Sequence, residues 1–261
     1  MAQIEMLQPV SRRSALRLIG GAVVVAAGSA ALAACGSGGG TAANGSSSTK
    51  GGGAAAAAPW KITGGTGMKS KLATISGTTA TLVMRGDDIW NTAGTFTFLY
   101  GPTAKGKNSW VCLVKSMDST NGWAKAGIMA ANSYDPGSAL VFQCVTIANG
   151  ITLQHRDTDA ANETGNESVA PAPQSVPAWL KLDVDDSWNW TGSWSTDGKA
   201  WQNPTPAATN PIALNAKYIV GLATTAHDAT MNGNAVISNL SGFKPLPATV
   251  DGVGTNDTAT L

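Results

Sequence analysis

WLKLDVDDSWNWTGSWSTDGKAW, residues 179 to 201, alternates apolar and polar side chains on either side of a polar turn. Leu180, Leu182 and Val184 interleave with Lys181, Asp183 and Asp185, the period of a β-strand with one face buried and the other wet. A turn at Asp185, Asp186 and Ser187 follows, and alternation resumes through Trp188, Trp190 and Trp194. A second turn at Thr196, Asp197 and Gly198 brings the chain back to Trp201, which completes an antiparallel meander. Five of the nine Trp lie in this stretch. Each indole must bury a large surface and satisfy its N–H, so the surplus predicts that some of them line an exposed face.

Outward from the meander, strands are predicted at short spacing over 79–84, 95–100, 109–115, 124–130, 140–147, 152–156, 216–223 and 235–240. Between them stand turn formers such as Gly86-Asp87-Asp88, Asp135-Pro136-Gly137 and Asn149-Gly150. Many short strands with no helical period predict an all-β fold, a two-sheet antiparallel β-sandwich or jelly roll, over residues 60–243. Residues 157–177 are polar and then Pro-rich and read as a long surface loop. Residues 244–261 read as a disordered tail. The balance of 17 basic and 16 acidic residues, +1 overall, provides no field to attract nucleic acid.

The N-terminus resembles an export signal. Arg12 and Arg13 precede an apolar run from Leu18 to Ala34, and the pair is similar to a twin-arginine signal. Leu32-Ala33-Ala34-Cys35 resembles a bacterial lipobox, which implies lipidation of Cys35 and anchoring to the outer face of a bacterial membrane, at the cell surface or in the periplasm. Residues 36–59, rich in Gly, Ser, Thr and Ala, read as a flexible linker with a reach of about 5–6 Å times the square root of its length.

Several segments together resemble the bacterial concanavalin A-like sandwich domains labelled regulation-of-enolase-like. They are Asp88-Ile89-Trp90 with Thr95-Phe96-Thr97-Phe98-Leu99-Tyr100, Trp123-Ala124-Lys125-Ala126-Gly127-Ile128-Met129, the Pro177 to Leu182 strand with its Trp194 to Trp201 turn, and Gly221 to Asp228. Gly94 stands where that pattern carries an acidic residue, and Ala131 where it often carries Arg. The resemblance implies a jelly roll with a concave face, and no particular activity.

A retaining glucanase of this architecture needs two carboxylates about 5–5.5 Å apart on one strand face. The nearest approach here is Asp183 with Asp185, running into a turn; of the three Glu, Glu5 is in the signal and Glu163 and Glu167 are in the expected loop. The residues thus speak against a glycoside hydrolase or lyase. His155 and His227, the two histidines, have no Cys or carboxylate spacing that would make a zinc set, so no cofactor is expected; Ca²⁺ at an aspartate-rich strand end stays open without support. Cys112 and Cys144 lie in separate strands and can be either a disulfide or a pair of packed thiols.

A sugar ring offers a face of C–H groups to an indole while polar side chains read its hydroxyls. Trp123 and Lys125 share one strand face, and Trp179, Lys181 and Asp183 share another. Candidate ligand-binding residues are therefore Trp123, Lys125, His155, Arg156, Trp179, Asp183 and His227. Two function classes fit: a non-catalytic, carbohydrate-binding surface lipoprotein whose partner is a glycan or surface polysaccharide, and a structural or adhesive lipoprotein that binds another protein.

Overall fold

The computed structural model describes residues 60–64, 72–102, 106–161, 165–207, 211–248 and 250. Arg12, Arg13, Cys35, the linker over 36–59 and residues 251–261 of the expected tail lie outside the described residues. The strands, in chain order, are β1 Lys61–Thr63, β2 Ala73–Ser76, β3 Thr79–Gly86, β4 Thr97–Pro102, β5 Asn108–Met117, β6 Lys125–Ala131 and β7 Leu140–Thr146. They continue with β8 Ile151–Arg156, β9 Gly165–Ala170, β10 Ala178–Val184, β11 Trp190–Ser195, β12 Gln202–Pro206, β13 Ile219–Thr225 and β14 Asp228–Ser241. No helix occurs among the described residues.

The strands form two antiparallel sheets of seven, ordered β1-β4-β13-β6-β7-β8-β9 and β12-β11-β10-β5-β14-β3-β2. The meander pairs as its alternation predicts, with Leu180, Leu182 and Val184 opposite Trp194, Gly192 and Trp190. These side chains meet Ile128, Ala130, Val141 and Leu153 of the other sheet in the main core. The indoles crowd there less than expected because they stack: the rings of Trp110 and Trp190 lie 6.2 Å apart at 16°, and Tyr218 meets both edge-on. Trp188 is a turn residue, with φ 65°, beside Asp185, whose Oδ1 accepts the amides of Ser187 (2.8 Å) and Asn189 (2.9 Å).

Residues 157–177 are not a strandless loop. β9 lies within them and pairs with β8 along one side only. Its polar sequence, GNESVA, hid it, since a sheet edge can stay wet. Past Phe243 the chain keeps contact with the sandwich, where Trp60 Nε1 donates to Pro245 O at 2.9 Å and Leu246 and Val250 pack against the main core. Cys112 (β5) and Cys144 (β7) belong to different sheets, are both buried and form no disulfide, which decides for packed thiols. Burial pushes the Cys112 thiol far up from its ordinary value.

The outer face of the first sheet is covered. Along β6, Met129 and Ala131 point away from the main core, and with Phe98, Tyr100, Leu140, Phe142, Ile219 and Ala223 they form a second buried cluster. Ile89 and Phe96, from the loop between β3 and β4, close it from above. The outer face of this sheet is therefore roofed where β4, β13, β6 and β7 meet that cluster.

Candidate functional site

The roof loop is built from turn chemistry. Gly86 has φ +88°, and a Cβ there would sit 1.9 Å from Thr95 O, so the loop ends can close only on glycine. Asp87 Oδ1 accepts the Asp88 and Thr95 amides at 3.0 and 3.2 Å and the Thr95 hydroxyl. Burial raises the Asp87 carboxyl, but the Thr95 hydroxyl and the two amides outweigh it and hold it below its ordinary value. Gly94 passes so close to Asp88 that a Cβ would lie 2.3 Å from its carbonyl oxygen, which excludes an acidic side chain there.

Arg156 fastens the roof. Its side chain is fully buried, its Nε and Nη2 donate to Asn91 O at 3.0 and 2.8 Å, and its Nη1 donates to Pro136 O and Ser138 O at 3.2 and 2.7 Å. These bonds position the loop.

Where the roof stops, at the start of β6, a pocket of about 260 Å³ remains, lined by Asp88, Trp90, Trp123, Lys125, Gln154 and His227. Lys125 is only 2% exposed, and its Nζ donates to Asp88 Oδ1 at 2.6 Å and to Ile89 O at 3.1 Å. The ammonium also lies 5.7 Å from the centre of the Trp90 ring, a cation–π contact. Asp88 Oδ1 takes the Ile89 amide at 2.7 Å, while Oδ2 lies 3.2 Å from His227 Nε2. In the neutral ring, an Nε2 proton directed at Asp88 leaves Nδ1 as an acceptor. His227 itself has φ 52°, a left-handed backbone uncommon for a side-chain-bearing residue, held by its amide on Thr225 Oγ1 at 3.3 Å. Thr120 Oγ1, donating to Ala226 O at 2.7 Å, ties the loop carrying Trp123 to the one carrying His227. Trp123 is 36% exposed.

Of the residues singled out in the sequence, the pocket unites Trp123, Lys125 and His227. The rest fall elsewhere. His155 points to the opposite side of β8 from Gln154, with Nδ1 2.6 Å from Asp157 Oδ1 and its ring over Gly165. Trp179 and Asp183 are on the outer face of the second sheet, so they cannot share a site with Trp123. There Lys181 Nζ sits 3.3 Å from Asp183 Oδ2 and 4.9 Å from the Trp201 ring centre, and Trp179 packs on the turn at Gly198. These contacts staple the β11–β12 hairpin. Asp183 is held by Lys181, and Asp185 by its own turn. Among the described residues no group of His, Cys, Asp or Glu could hold a metal ion.

Sequence reasoning missed three lining residues. Asp88 read as a turn residue, Trp90 entered through the family resemblance and not as a site residue, and Gln154 was passed over beside His155. Strand parity carried the signal for Gln154, because it shares a face with Arg156.

No family model and no curated protein matches the chain. Solved structures do. A functionally unknown protein from Saccharomyces cerevisiae superposes with a TM-score of 0.53 at 18% identity, over 73% of this chain and 97% of that one. The GH43 protein BlXynB of Bacillus licheniformis gives 0.44 at 14% identity, over 63% of this chain and only 33% of that one. The exoplasmic/lumenal domain of VIP36, in its Ca²⁺/Man3GlcNAc-bound form, gives 0.43 at 8% identity, over 71% and 84%. At these identities the likeness is one of fold: the chain is a two-sheet antiparallel β-sandwich.

Proposed function

We propose that the chain is a surface-anchored, non-catalytic carbohydrate-binding module. One observation carries the reading: Trp90 and Trp123 flank a pocket whose other walls are the polar line Lys125, Asp88 and His227, with Gln154. An exposed indole beside hydroxyl-reading groups is the arrangement that suits a sugar ring. The volume, about 260 Å³, lies just below the usual range for small-ligand sites and fits one ring better than a long chain. The fold alone would not support this assignment, because sandwiches of this kind host many unrelated functions.

The placement outside the cell rests on the sequence: the paired Arg12 and Arg13, the lipobox-like run ending at Cys35, and a linker over 36–59 that would hold the sandwich off the bilayer. The resemblance to regulation-of-enolase-like sandwich domains of secreted and surface proteins agrees with that placement. A glycan array followed by Trp-emission titration tests the reading, and replacing Trp123 with Ala is expected to abolish binding while leaving the melting temperature in place. Silence across neutral and acidic glycans alike would refute it. Adhesion to another protein is the second reading, favoured by the exposure of Met231 (45%) beside that of Trp123, and retention of a purified surface-protein partner by the glycan-silent chain would support it.

A further inference from the structure

The charges of the pocket restrict which sugar can enter it. Lys125 is the one permanent cation in the lining, and its ammonium is turned inward. It is almost fully buried, it bonds Asp88 Oδ1 and Ile89 O, and its remaining side faces the Trp90 ring. A carboxylate or sulfate on a ligand could reach it only by displacing Asp88, which is itself an anion held at 2.6 Å. Arg156 and Lys181, which could otherwise neutralise an acidic sugar, are bound on the roof carbonyls and on the opposite sheet. His155 faces away on Asp157. Further carboxylates neighbour the lining residues along the chain: Asp87 beside Asp88 on the roof loop, and Asp228 next to His227, both held below their ordinary values and so ionised at neutral pH. For Asp87 the Thr95 hydroxyl and nearby amides outweigh burial, and for Asp228 the Thr230 hydroxyl and amide dominate. These carboxylates repel an anionic ligand, and salt screens that repulsion.

What the pocket offers instead is a hydroxyl reader. Asp88 Oδ2 is an acceptor next to His227, a ring that both donates and accepts, and Trp123 presents the exposed apolar surface. With Lys125 against one face of Trp90, Trp123 is the better stacking platform. We infer that this pocket takes an uncharged pyranoside, whose hydroxyls donate to Asp88 Oδ2 and to His227 while its C–H face lies on Trp123, and that it rejects uronate and sulfated sugars. The inference rests on the sugar-site reading above and narrows it to one substrate class.

Trp-emission titration of the full chain tests it, with cellohexaose, xylohexaose and mannohexaose as neutral probes and hexagalacturonate and a heparin hexasaccharide as acidic ones, at low and at physiological ionic strength. At least one neutral probe should bind, with an affinity that does not change with salt, and neither acidic probe should. Asp88→Asn should weaken that binding about tenfold, the loss of one charge-assisted hydrogen bond. Because Asp88→Asn also disturbs Lys125, His227→Gly provides a second variant: glycine accepts the left-handed backbone there, so binding should fall several-fold with the far-ultraviolet circular dichroism unchanged. Binding of an acidic probe, weakening as salt rises, would overturn the neutral-sugar inference and keep the sugar site. Neutral binding untouched by both variants would overturn the placement on Asp88 and His227. Failure of every probe would instead remove the sugar-site reading itself.

Discussion

Replacing Arg156 with Met should loosen the roof over the first sheet without emptying the core. Four N–H groups of this side chain end on three carbonyls that belong to two separate loops, Asn91 on one and Pro136 and Ser138 on the other. Hydrogen bonds from a charged donor are worth about 1.5–3 kcal/mol each, so a plain sum would reach roughly 6–12 kcal/mol. That sum overshoots. Asn91 and Pro136 are exposed, so water can take over at their carbonyls, while the buried Ser138 carbonyl has no such recourse. Methionine also escapes the cost of burying a guanidinium. The net loss is expected at about 2–4 kcal/mol, which for a domain of 150–250 residues lowers the melting temperature by roughly 5–15 °C. Thermal unfolding followed by circular dichroism measures it, and the emission of Trp90, which sits on the roof loop, should shift at a lower temperature than the bulk signal. Arg156→Lys should recover only part of the loss, because an ammonium cannot span three carbonyls as a planar fork does. A Met variant melting within about 2 °C of the parent would refute the assignment of Arg156 as the roof fastener.

Trp179→Ala should destabilise the domain by about 2 kcal/mol, since the ring supports the turn at Gly198, and should leave sugar binding unchanged; a urea melt run beside a binding titration separates the two effects. Gly94→Ala should cost about 2–3 kcal/mol and weaken any ligand, because the added Cβ strikes the Asp88 carbonyl that anchors the pocket wall; a variant as stable as the parent would contradict the close approach. Asp197 accepts the amides of Ala200 and Lys199 and the Ser195 hydroxyl, which hold its carboxyl down at about 2. Its folded value lies below its unfolded one, so its contribution is complete above about pH 4 and is lost as the pH falls toward 2. Urea midpoints for Asp197→Asn should therefore vary less than the parent's across that window, and parallel profiles would disprove the linkage.

Ten of the fourteen strands among the described residues could be read from alternation, and the four that could not, β1, β2, β9 and β12, are the two edges of each sheet. An interior strand is paired on both sides and buried on at least one face, so its side chains must alternate or run apolar, as LKLDV and LVFQCVT do. An edge strand has one neighbour and a wet side, and QNPTP or GNESVA can serve because nothing demands more. Local spacing thus sufficed for the sandwich, because the period of two is a property of the strand itself. The pocket was another matter. Lys125 and Trp123 could be placed on one face from their own segment, but their meeting with Asp88 and His227 joins residues 37 and about a hundred positions apart, through a loop held by a buried arginine. Parity put Gln154 and Arg156 on one side of β8 and His155 on the other, yet which side faced the roof depended on the other sheet. Pairing Trp179 with Trp123 failed for the same reason: whether two wet faces are one surface or opposite surfaces of a sandwich is decided only when the layers stack.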